Sequence, residues 1–422
     1  MTACFEIQED NELAVWQGLG GAITEATAYN FSKLSKQKQK KLLDAYYGKD
    51  GLRYNWCRIS VGSNDFCLAP YEYTKEKDLS DFSIKHDKKY VIPMIRDALE
   101  YNKDLIFLAA PWSPPAFFKY IPKTRFGGRL KFWRYADYAN YLARWIESYE
   151  EEGIKIKYLS PQNEPRAYQI WESCVYGFRG QRKLAYGFLA ETLVKYDVKM
   201  LLWDHNKQQL SKVADKLLSK ESSMVAGICY HWYTGTFEDE MWRAYEKHRD
   251  KMFVSSEMCC GFSPYDEKDW QKDANLYLGE LFSDINSGAS AFVDWNMLLD
   301  AQGGPSYCKN YVKSPVILNE TGDDFILTPI YNALLKFSKV FPAGSRAVRC
   351  ERLEKIAEHP KASLRNPTRP DDVVMIARKD EQGKVIAILA NVSNKKQKAK
   401  ILSSKKTYEI ELEKNEIKTI KL

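Results

Sequence analysis

The chain has 422 residues, of which 45% are hydrophobic and 14% aromatic, a length that suits a large barrel with a smaller companion domain. The 63 basic and 56 acidic residues leave a net charge of only +7, so no nucleic-acid partner is expected. No stretch of about 18 apolar residues occurs, so no membrane span is expected either, and the first residues lack the basic and apolar regions of a signal peptide. We therefore expect a cytoplasmic protein, with unconventional export left open.

The cysteine and histidine patterns give no sign of a metal site. The nine cysteines form no Cys-x-x-Cys pair and are expected to be reduced thiols in the core. The five histidines are scattered, and neither His-x-His nor His-Glu-x-x-His occurs. We predict that the protein uses no metal and no cofactor, and the sequence leaves its oligomeric state unknown.

Short apolar runs alternate with amphipathic segments from residue 17 onwards, a pattern typical of the α/β class. The predicted strands are 17–23, 55–61, 105–110, 156–160, 199–203, 226–231, 252–256 and 291–295. The predicted helices are 32–47, 88–101, 135–151, 181–196, 208–219, 238–249, 267–285 and 329–340. Eight strands alternating with eight helices predict a (β/α)8 TIM barrel over residues 17–343.

The sequence pattern changes after about residue 344, where short strands follow one another with little helix between them. The predicted strands of this tail are 373–377, 385–392, 399–402, 408–412 and 417–422. The opening stretch precedes the first barrel strand and is expected to add a strand to the same layer. Residues 1–16 and 344–422 are therefore predicted to form an antiparallel β-sandwich domain.

Barrel enzymes carry their working residues at the carboxyl ends of the strands. Each predicted strand of this chain ends in, or is followed by, a polar or aromatic residue suited to a sugar site. In chain order these residues are Glu25, Arg58 and Asp65, Trp112, Asn163 and Glu164, Asp204 and His205, His231 and Tyr233, Glu257, and Trp295 with Asn296. The sequence thus predicts a carbohydrate site at this end of the barrel.

Two of these residues have the chemistry that glycoside hydrolysis needs, which is an acid that protonates the leaving oxygen and a carboxylate across the bond. Glu164 follows the fourth strand and Glu257 the seventh, so both can reach one anomeric carbon across the barrel mouth. We expect the charge of Glu257 and an apolar environment to raise the pKa of Glu164, and Tyr233 and Arg58 to keep Glu257 ionised. Separate strand-end salt bridges are the alternative interpretation.

Several supporting residues also have structural interpretations. His231 could be a satisfied core histidine, and Arg58 could pair with a core carboxylate without touching substrate. Asp204 and His205 could form a helix cap and turn. For Asp65 the structural interpretation, a buried side chain bonded to backbone near Arg58, is favoured.

A set of motifs in this order resembles glycoside hydrolase family 30, the glucosylceramidase (glucocerebrosidase-like) group, over roughly residues 17 to 345. The motifs are Gly18-Leu-Gly-Gly-Ala-Ile-Thr-Glu25, Tyr54-Asn-Trp-Cys-Arg58 with Asn64-Asp65-Phe66, Pro111-Trp-Ser-Pro-Pro115, Gln162-Asn-Glu-Pro165, His231-Trp-Tyr233, Ser256-Glu257, Asp294-Trp-Asn296, and Gly303-Gly-Pro305 with Asn310. The chain most resembles the bacterial branch without a signal peptide, which includes an enterobacterial secreted effector.

The resemblance implies a retaining enzyme with Glu164 as acid/base and Glu257 as nucleophile. It also implies a β-sandwich built from both termini. The remaining positions that match the family's substrate site are Asn163, which would contact the 2-hydroxyl, Trp112, Trp295 and Asn310, which would bind the non-reducing-end glucose, and Tyr233 and His231, which would line the site beside the nucleophile. Arg58, Asp204 and His205 are expected to support the site.

Two departures from the family pattern concern specificity. Glu25 stands where the resemblance implies an aspartate that holds a distal sugar hydroxyl, and its extra methylene would shift that contact by roughly 1.5 Å. Met258 follows the predicted nucleophile where the family usually has a small residue. We expect a β-glucoside substrate, either an oligosaccharide or a glycolipid. β-Xylosidase, β-1,6-glucanase and β-fucosidase activities remain alternatives, and a non-catalytic carbohydrate-binding or effector protein is a remote one.

Overall fold

The computed structural model describes residues 2–261, 269–354, 370–403 and 406–422. The strands are β1 (Ala3–Val15), β2 (Leu19–Ala22), β3 (Trp56–Val61), β4 (Ile106–Pro111), β5 (Ile156–Leu159), β6 (Lys199–Asn206), β7 (Val225–His231), β8 (Met252–Glu257), β9 (Cys260–Gly261), β10 (Ala291–Asp294), β11 (Leu298–Leu299), β12 (Val312–Lys313), β13 (Val316–Leu318), β14 (Phe325–Leu327), β15 (Arg346–Arg352), β16 (Val373–Lys379), β17 (Val385–Asn391), β18 (Gln397–Ser403), β19 (Lys406–Leu412) and β20 (Ile417–Lys421). The α-helices are α1 (Glu25–Lys33), α2 (Lys36–Tyr47), α3 (Val91–Tyr101), α4 (Tyr135–Glu151), α5 (Phe178–Leu184), α6 (Ala190–Leu193), α7 (Leu210–Leu217), α8 (Glu238–Lys247), α9 (Trp270–Asn286) and α10 (Pro329–Val340).

Eight parallel strands close into a barrel in the order β10-β2-β3-β4-β5-β6-β7-β8. Each coincides with one of the eight runs predicted from the sequence, to within three residues at either end. The prediction of a (β/α)8 barrel is confirmed. Because the carboxyl ends of all eight strands meet at one mouth, the residues that follow them are brought together.

Large side chains fill the barrel interior. The innermost cluster is contributed by seven of the eight strands and comprises Trp56, Leu108, Tyr158, Leu201, Cys229, Val254, Ala291 and Val293. The rings of Trp56 and Tyr158 stack across the axis with centroids 5.2 Å apart. This packed layer lies below the mouth, so the barrel is a solid support for the residues above it rather than a channel.

The helices differ from the predictions in two places. The segment predicted as one helix over 32–47 contains the end of α1 and all of α2, because Ser35 caps α2 with its side chain and breaks the chain direction. The segment predicted over 181–196 runs through α5 and α6, which a π-helical turn at Ala185–Leu189 separates. The predicted helix 267–285 begins at two residues that lie outside the described part of the chain, and α9 covers the rest.

The second domain contains both ends of the chain. Seven strands form a mostly antiparallel sheet in the order β19-β18-β1-β15-β16-β17-β20, with β1 and β18 running parallel. The strands predicted for the sandwich are all present, and they hydrogen-bond into one continuous sheet. One face buries its own cluster, which includes Phe5 and Leu389. The other face, with Ile376 and Ile388, joins the large core that the barrel helices form.

Candidate active site

Arg58 is the central residue of the barrel mouth, with 1% of its surface exposed. Its Nη1 donates to Oε2 of Glu257 at 2.5 Å, and its Nη2 donates to Oδ1 of Asn163 at 2.8 Å and to Oδ2 of Asp204 at 2.9 Å. The guanidinium therefore connects β3 with residues at the ends of β5, β6 and β8. A buried arginine with two carboxylate partners is fully charged and fixes the positions of its neighbours.

Glu257 ends β8 and has a donor at each carboxylate oxygen. Arg58 occupies Oε2, and the hydroxyl of Tyr233 donates to Oε1 at 2.8 Å. Arg58 and Tyr233 are the two donors predicted from the sequence. Hydrogen bonds at both oxygens hold the carboxylate in one orientation.

Glu164 follows β5 with a left-handed backbone, at φ 44°. Its amide donates to the carbonyl of Asp204 at 2.8 Å, which fixes the turn. One carboxylate oxygen, Oε1, lies 3.3 Å from Nδ1 of His231 and 3.6 Å from Nδ1 of His205, the latter an ion-pair distance rather than a hydrogen bond. The other, Oε2, accepts from Gln169 at 3.2 Å. The carboxylate therefore faces the mouth with imidazoles on one side.

His231 lies between the two glutamates. Its Nδ1 is 3.3 Å from Oε1 of Glu164 and 3.7 Å from Oε1 of Glu257, so these two oxygens are at most 7.0 Å apart, the sum of both distances. Carboxyl groups of glycosidases are about 5–5.5 Å apart in retaining enzymes and about 6.5–9.5 Å in inverting ones. The upper limit of 7.0 Å for this pair of oxygens includes the retaining range.

The charges around His231 set the proton distribution of the site. Burial alone lowers the pKa of His231, but the charge of Glu257 and the bonds to Asp204 and Glu164 raise it to about 9. Burial alone would raise the pKa of Glu164, whereas the imidazoles of His205 and His231 hold it well below its usual range. The expectation of a raised pKa for Glu164 is therefore wrong, because it did not foresee two imidazoles against one carboxylate.

Asp204 holds the far side of the imidazole. Its Oδ1 lies 3.1 Å from Nε2 of His231 and accepts from the Ser256 hydroxyl at 2.6 Å, while Oδ2 accepts from Arg58. Burial would raise the pKa of Asp204, but Arg58 and then His231 hold it well below its usual range. Arg58, Asp204 and His231 thus form one buried network beneath the two glutamates.

An aromatic wall closes one side of the mouth. The rings of Trp112 and Trp295 stack with centroids 5.2 Å apart, and the Arg58 guanidinium carbon lies 5.1 Å and 5.5 Å from them. Gln162 donates from Nε2 to the carbonyl oxygens of Trp112, at 2.7 Å, and of Asn163, at 2.8 Å. This amide joins the loop after β4 to the loop after β5 and so fixes the wall relative to Glu164.

Asp65 belongs to this site, although the sequence favoured a structural interpretation. Nδ2 of Asn310 donates to its Oδ2 at 2.8 Å. Burial raises the pKa of Asp65 to about 8, the Asn310 hydrogen bond opposes this, and the nearby charges of Glu257 and Glu164 add to it. The signal in the sequence was its position in the loop directly after β3, beside Arg58.

Glu25 does not join the group, so the prediction that it binds substrate finds no support in the geometry. Its Oε1 lies 2.7 Å from Nε2 of His86, and its Oε2 accepts from the Leu68 amide at 3.0 Å. Glu25 is 5% exposed and starts α1, so its carboxylate is directed sideways into these contacts.

The site is flanked by further residues whose roles follow from their neighbours. Met258, after Glu257, is fully buried and belongs to the large core that the barrel helices form, and its carbonyl accepts from Tyr277 and from the Trp295 amide. Within the described residues no group of three or more His, Cys, Asp or Glu side chains could hold a metal ion. In the same part of the chain no helix has the length and apolar character to cross a bilayer.

All of these groups lie at the mouth of the barrel, where enzymes of this fold carry their active sites. The sequence profile of the Glycosyl hydrolase family 30 TIM-barrel domain matches residues 16–341, and the chain belongs to this family. It is therefore a glycoside hydrolase.

Two curated proteins and one solved structure show what the chain is similar to. The chain is 30% identical to the lysosomal acid glucosylceramidase of Mus musculus over 81% of this chain and 71% of that protein. It is 22% identical to an endo-1,6-β-D-glucanase of Neurospora crassa over 78% of this chain and 71% of that protein. The solved structure of SrfJ from Salmonella typhimurium superposes with a TM-score of 0.87 at 24% identity, covering 99% of this chain and 92% of SrfJ.

Proposed function

We propose that this protein is a retaining β-glycosidase that acts from the chain end on β-glucosides, in the manner of a glucosylceramidase. The observation that carries the proposal is the placement of the Glu164 and Glu257 carboxylates on either side of His231 Nδ1, within 3.3 Å and 3.7 Å of it. Two carboxylates at so short a distance from each other can both act on one anomeric carbon. The upper limit for the distance between their Oε1 atoms includes the separation typical of retaining enzymes.

In the first step Glu257 attacks the anomeric carbon. A bond forms between that carbon and a carboxylate oxygen, the bond to the leaving oxygen breaks with its electron pair, and Glu164 gives its proton to that oxygen. In the second step Glu164 removes a proton from water as the water oxygen attacks the same carbon and releases Glu257. Arg58 and Tyr233 orient Glu257 for attack and accept its return as a leaving carboxylate.

The proton for the first step is shared between Glu164 and His231. His231 and Glu164 are 3.3 Å apart, so a proton that resides on the imidazole before reaction can move to the carboxylate when the leaving oxygen demands it. His231 acts through Glu164 and is a positioning residue rather than a group that reaches the sugar. Asp204 keeps the imidazole in place by its bond to Nε2.

The remaining residues suit a pyranose. Asn163 accepts from Arg58 through Oδ1, which leaves its NH2 group for the hydroxyl next to the reacting carbon. Trp112 and Trp295 offer an apolar wall for the C–H face of the ring. Asp65 and Asn310 form a polar pair that can take a distal hydroxyl, with Asp65 in the role that the sequence analysis gave to Glu25. The glucosylceramidase relative favours glucose as the sugar.

Mass spectrometry after treatment with a 2-deoxy-2-fluoro-β-glucosyl inactivator tests the proposal most directly. We expect one fluoroglucosyl group per chain, attached to the peptide that contains Glu257, and no label on the Glu257→Gln variant. Glu172→Gln is the matched control, since this glutamate is buried in the loop after β5 and bonds to Tyr307 instead. A label at Glu172 or at Glu164, or an active enzyme that never labels, would overturn the assignment of the nucleophile.

A panel of aryl β-glycosides then tests the sugar. We expect the glucoside to have the highest kcat/KM, above the xyloside and the fucoside. The protein could instead cleave a β-1,6-linked glucan at internal positions and release little glucose. This result would contradict exo-glucosidase activity and favour the endo-1,6-β-D-glucanase activity for which the Neurospora crassa relative is named. A preference for xyloside or fucoside would show that the wall and the Asp65–Asn310 pair hold a different ring.

A further inference from the structure

Large apolar side chains are exposed together beside the active-site mouth. The described residues include 14 exposed large hydrophobic side chains, and seven of them lie on the loops after β4 and β5. These seven, here called the rim surface, are Tyr120, Ile121, Phe126, Phe132, Trp133, Tyr168 and Ile170. Exposed apolar residues that occur singly are ordinary, but a cluster of this size marks an interaction site.

The rim surface is held in place by contacts within and between the two loops. The Trp133 ring contacts those of Tyr120 and Phe132, with centroids 5.7 Å and 4.7 Å away. The Phe126 amide donates to the carbonyl of Gln169 at 3.0 Å, which joins the two loops. The Tyr168 ring packs directly on Gly127, where any Cβ would come within 2.3 Å of it. These residues are therefore exposed by a fixed backbone and not by a frayed loop.

The rim surface borders the entrance to the site. Its first loop begins at Trp112 of the aromatic wall, and its second contains Glu164, whose carboxylate accepts from Gln169 in the same loop. Trp171, next to Ile170, packs against the cluster that holds Trp112 and Trp295. A body that rests on the rim surface would thus lie over the mouth.

Positive charge accompanies the apolar side chains. Residues 116–134 contain six basic residues and no acidic one: Lys119, Lys123, Arg125, Arg129, Lys131 and Arg134. Lys119 is buried and its ammonium bonds to three oxygens, so it serves the loop itself. Arg134 pairs with Asp137. Lys123 and Arg129 are exposed, and Arg166 of the second loop is exposed as well.

We propose that the rim surface docks on an anionic lipid bilayer. Exposed Trp, Tyr and Phe side chains with adjacent Lys and Arg are the composition that binds the headgroup region of a membrane, where the aromatic rings sit at the interface and the cations meet lipid phosphates. The aliphatic Ile121 and Ile170 favour a bilayer over a nucleic acid, because they gain by leaving water but cannot stack on bases. The proposal stands apart from the glycosidase assignment, since docking needs no hydrolysis.

Co-sedimentation of the intact chain with vesicles tests the docking. We expect the protein to bind vesicles of phosphatidylcholine with phosphatidylserine more tightly than vesicles of phosphatidylcholine alone, and added salt to weaken that binding. The double variant Lys123→Gln with Arg129→Gln removes two positive charges. Its partition coefficient for the mixed vesicles should therefore be about 30-fold lower than that of the unaltered chain. Phe132→Ser with Trp133→Ser should weaken binding to both kinds of vesicle.

Matched variants elsewhere on the surface give the comparison. Lys40→Gln with Lys41→Gln removes two exposed charges from α2, and Ile326→Ser with Leu327→Ser removes two exposed apolar side chains from β14. Both should bind vesicles as the unaltered chain does. Equal binding by rim and control variants, no binding to anionic vesicles, or binding to a single-stranded oligonucleotide in place of vesicles would each overturn the proposal. Hydrolysis of a soluble aryl glucoside, measured on the same variants, reports the proposed function separately.

Discussion

At the scale of single residues, the proposed acid Glu164 lies within 3.3 Å of His231, close enough for the two side chains to share a proton. Glu164 has a pKa held well below its usual range, and the pKa of His231 beside it is raised to about 9. The pair with the proton on nitrogen and the pair with the proton on oxygen contain the same number of protons. Activity therefore depends on whether the pair holds its proton, and not on the pKa of Glu164 alone.

The first prediction concerns the alkaline limit of activity. The shared proton should be lost near pH 9, so kcat/KM for an aryl glucoside should fall around that pH in the unaltered enzyme. The variant His231→Gln lacks the imidazole that lies 3.3 Å from Glu164 and holds the proton. The pH at which kcat/KM falls on the alkaline side should therefore be lower by roughly one pH unit or more. His248→Gln, at a histidine that pairs with Asp215 on the outside of the barrel, should leave this pH unchanged. If kcat/KM of His231→Gln falls at the same alkaline pH as that of the unaltered enzyme, Glu164 and His231 do not share the catalytic proton.

The second prediction separates the acid from its neighbours by leaving-group dependence. Glu164→Gln should slow the hydrolysis of glucosides with poor leaving groups most, because activated aryl groups depart without protonation. Its kcat ratio between an alkyl and a dinitrophenyl glucoside should fall by about 100-fold, within the usual range for general acid catalysis. Glu25→Gln is the control, since both oxygens of Glu25 bond away from the site, and its ratio should stay constant. Equal slowing of both substrates in Glu164→Gln would remove the acid role.

At the scale of elements, unusual backbone conformations direct the site residues. Glu164, Asp204 and Asn296 all have left-handed backbones, with φ of 44°, 52° and 68°. A β-bulge interrupts the pairing of β6 with β7 between Trp203 and His205, so that Asp204 faces Arg58 and His231. Such conformations cost roughly 1–3 kcal/mol each and persist where the surrounding contacts fix them. Here the buried charges of the mouth supply those contacts.

The third prediction tests how closely β7 and β8 must approach. A Cβ on Gly227 would lie 2.0 Å from the carbonyl oxygen of Met252, so Gly227→Ala must push the two strands apart. Because His231 and Glu257 end these strands, we expect both a loss of several kcal/mol in the free energy of unfolding and a lower kcat. Gly187→Ala, where no atom lies within 4 Å of the new methyl, should leave both unchanged or slightly improved. Denaturant unfolding gives the free energy of unfolding of both variants, and a parallel activity assay gives their kcat.

The sequence predicted the elements better than the directions of their side chains. The eight barrel strands follow from apolar runs, and the residues after them follow from the strands, so Glu164 and Glu257 could be paired before any coordinates. Side-chain direction depends on backbone angles that no pattern in this sequence specifies. For this reason the contacts of Glu25 with His86 and the hydrogen bond between Asp65 and Asn310 were not foreseen, nor were the imidazoles that lower the pKa of Glu164.

At the scale of the whole molecule, hydrogen bonds hold the second domain firmly to the barrel. The side chain of Asn286, the last residue of α9, accepts from the Cys350 amide at 2.7 Å and donates to its carbonyl at 2.5 Å. The Arg349 guanidinium donates to the Asn286 carbonyl at 2.7 Å. Helix α9, the next helix in the chain after β8, thus ends in direct contact with β15. The sheet therefore supports the barrel on the side of the proposed nucleophile.

The last prediction concerns the stability of the whole chain between pH 6 and pH 9. Burial raises the pKa of Asp65 to about 8 and that of Asp284 to about 7, in the latter against the opposing charge of Lys207. A carboxyl with a raised pKa binds its proton more tightly in the folded chain, so its contribution is complete below the unfolded value of about 4 and is lost as pH rises through the folded value. His231, raised to about 9, acts in the same direction, with a contribution that is complete below about 6.5.

All three groups therefore lower the free energy of unfolding on the alkaline side, by up to about 1.4 kcal/mol per pH unit for each group within its own window. We expect Tm to be higher at pH 6 than at pH 9. Asp65→Asn keeps an acceptor for Asn310 but cannot ionise, so its Tm should decline less over this range. The exposed Asp250→Asn should follow the unaltered protein. A Tm that rises from pH 6 to pH 9 would contradict the raised pKa values of these groups. An Asp65→Asn curve parallel to that of the unaltered chain would mean that Asp65 is ionised at neutral pH.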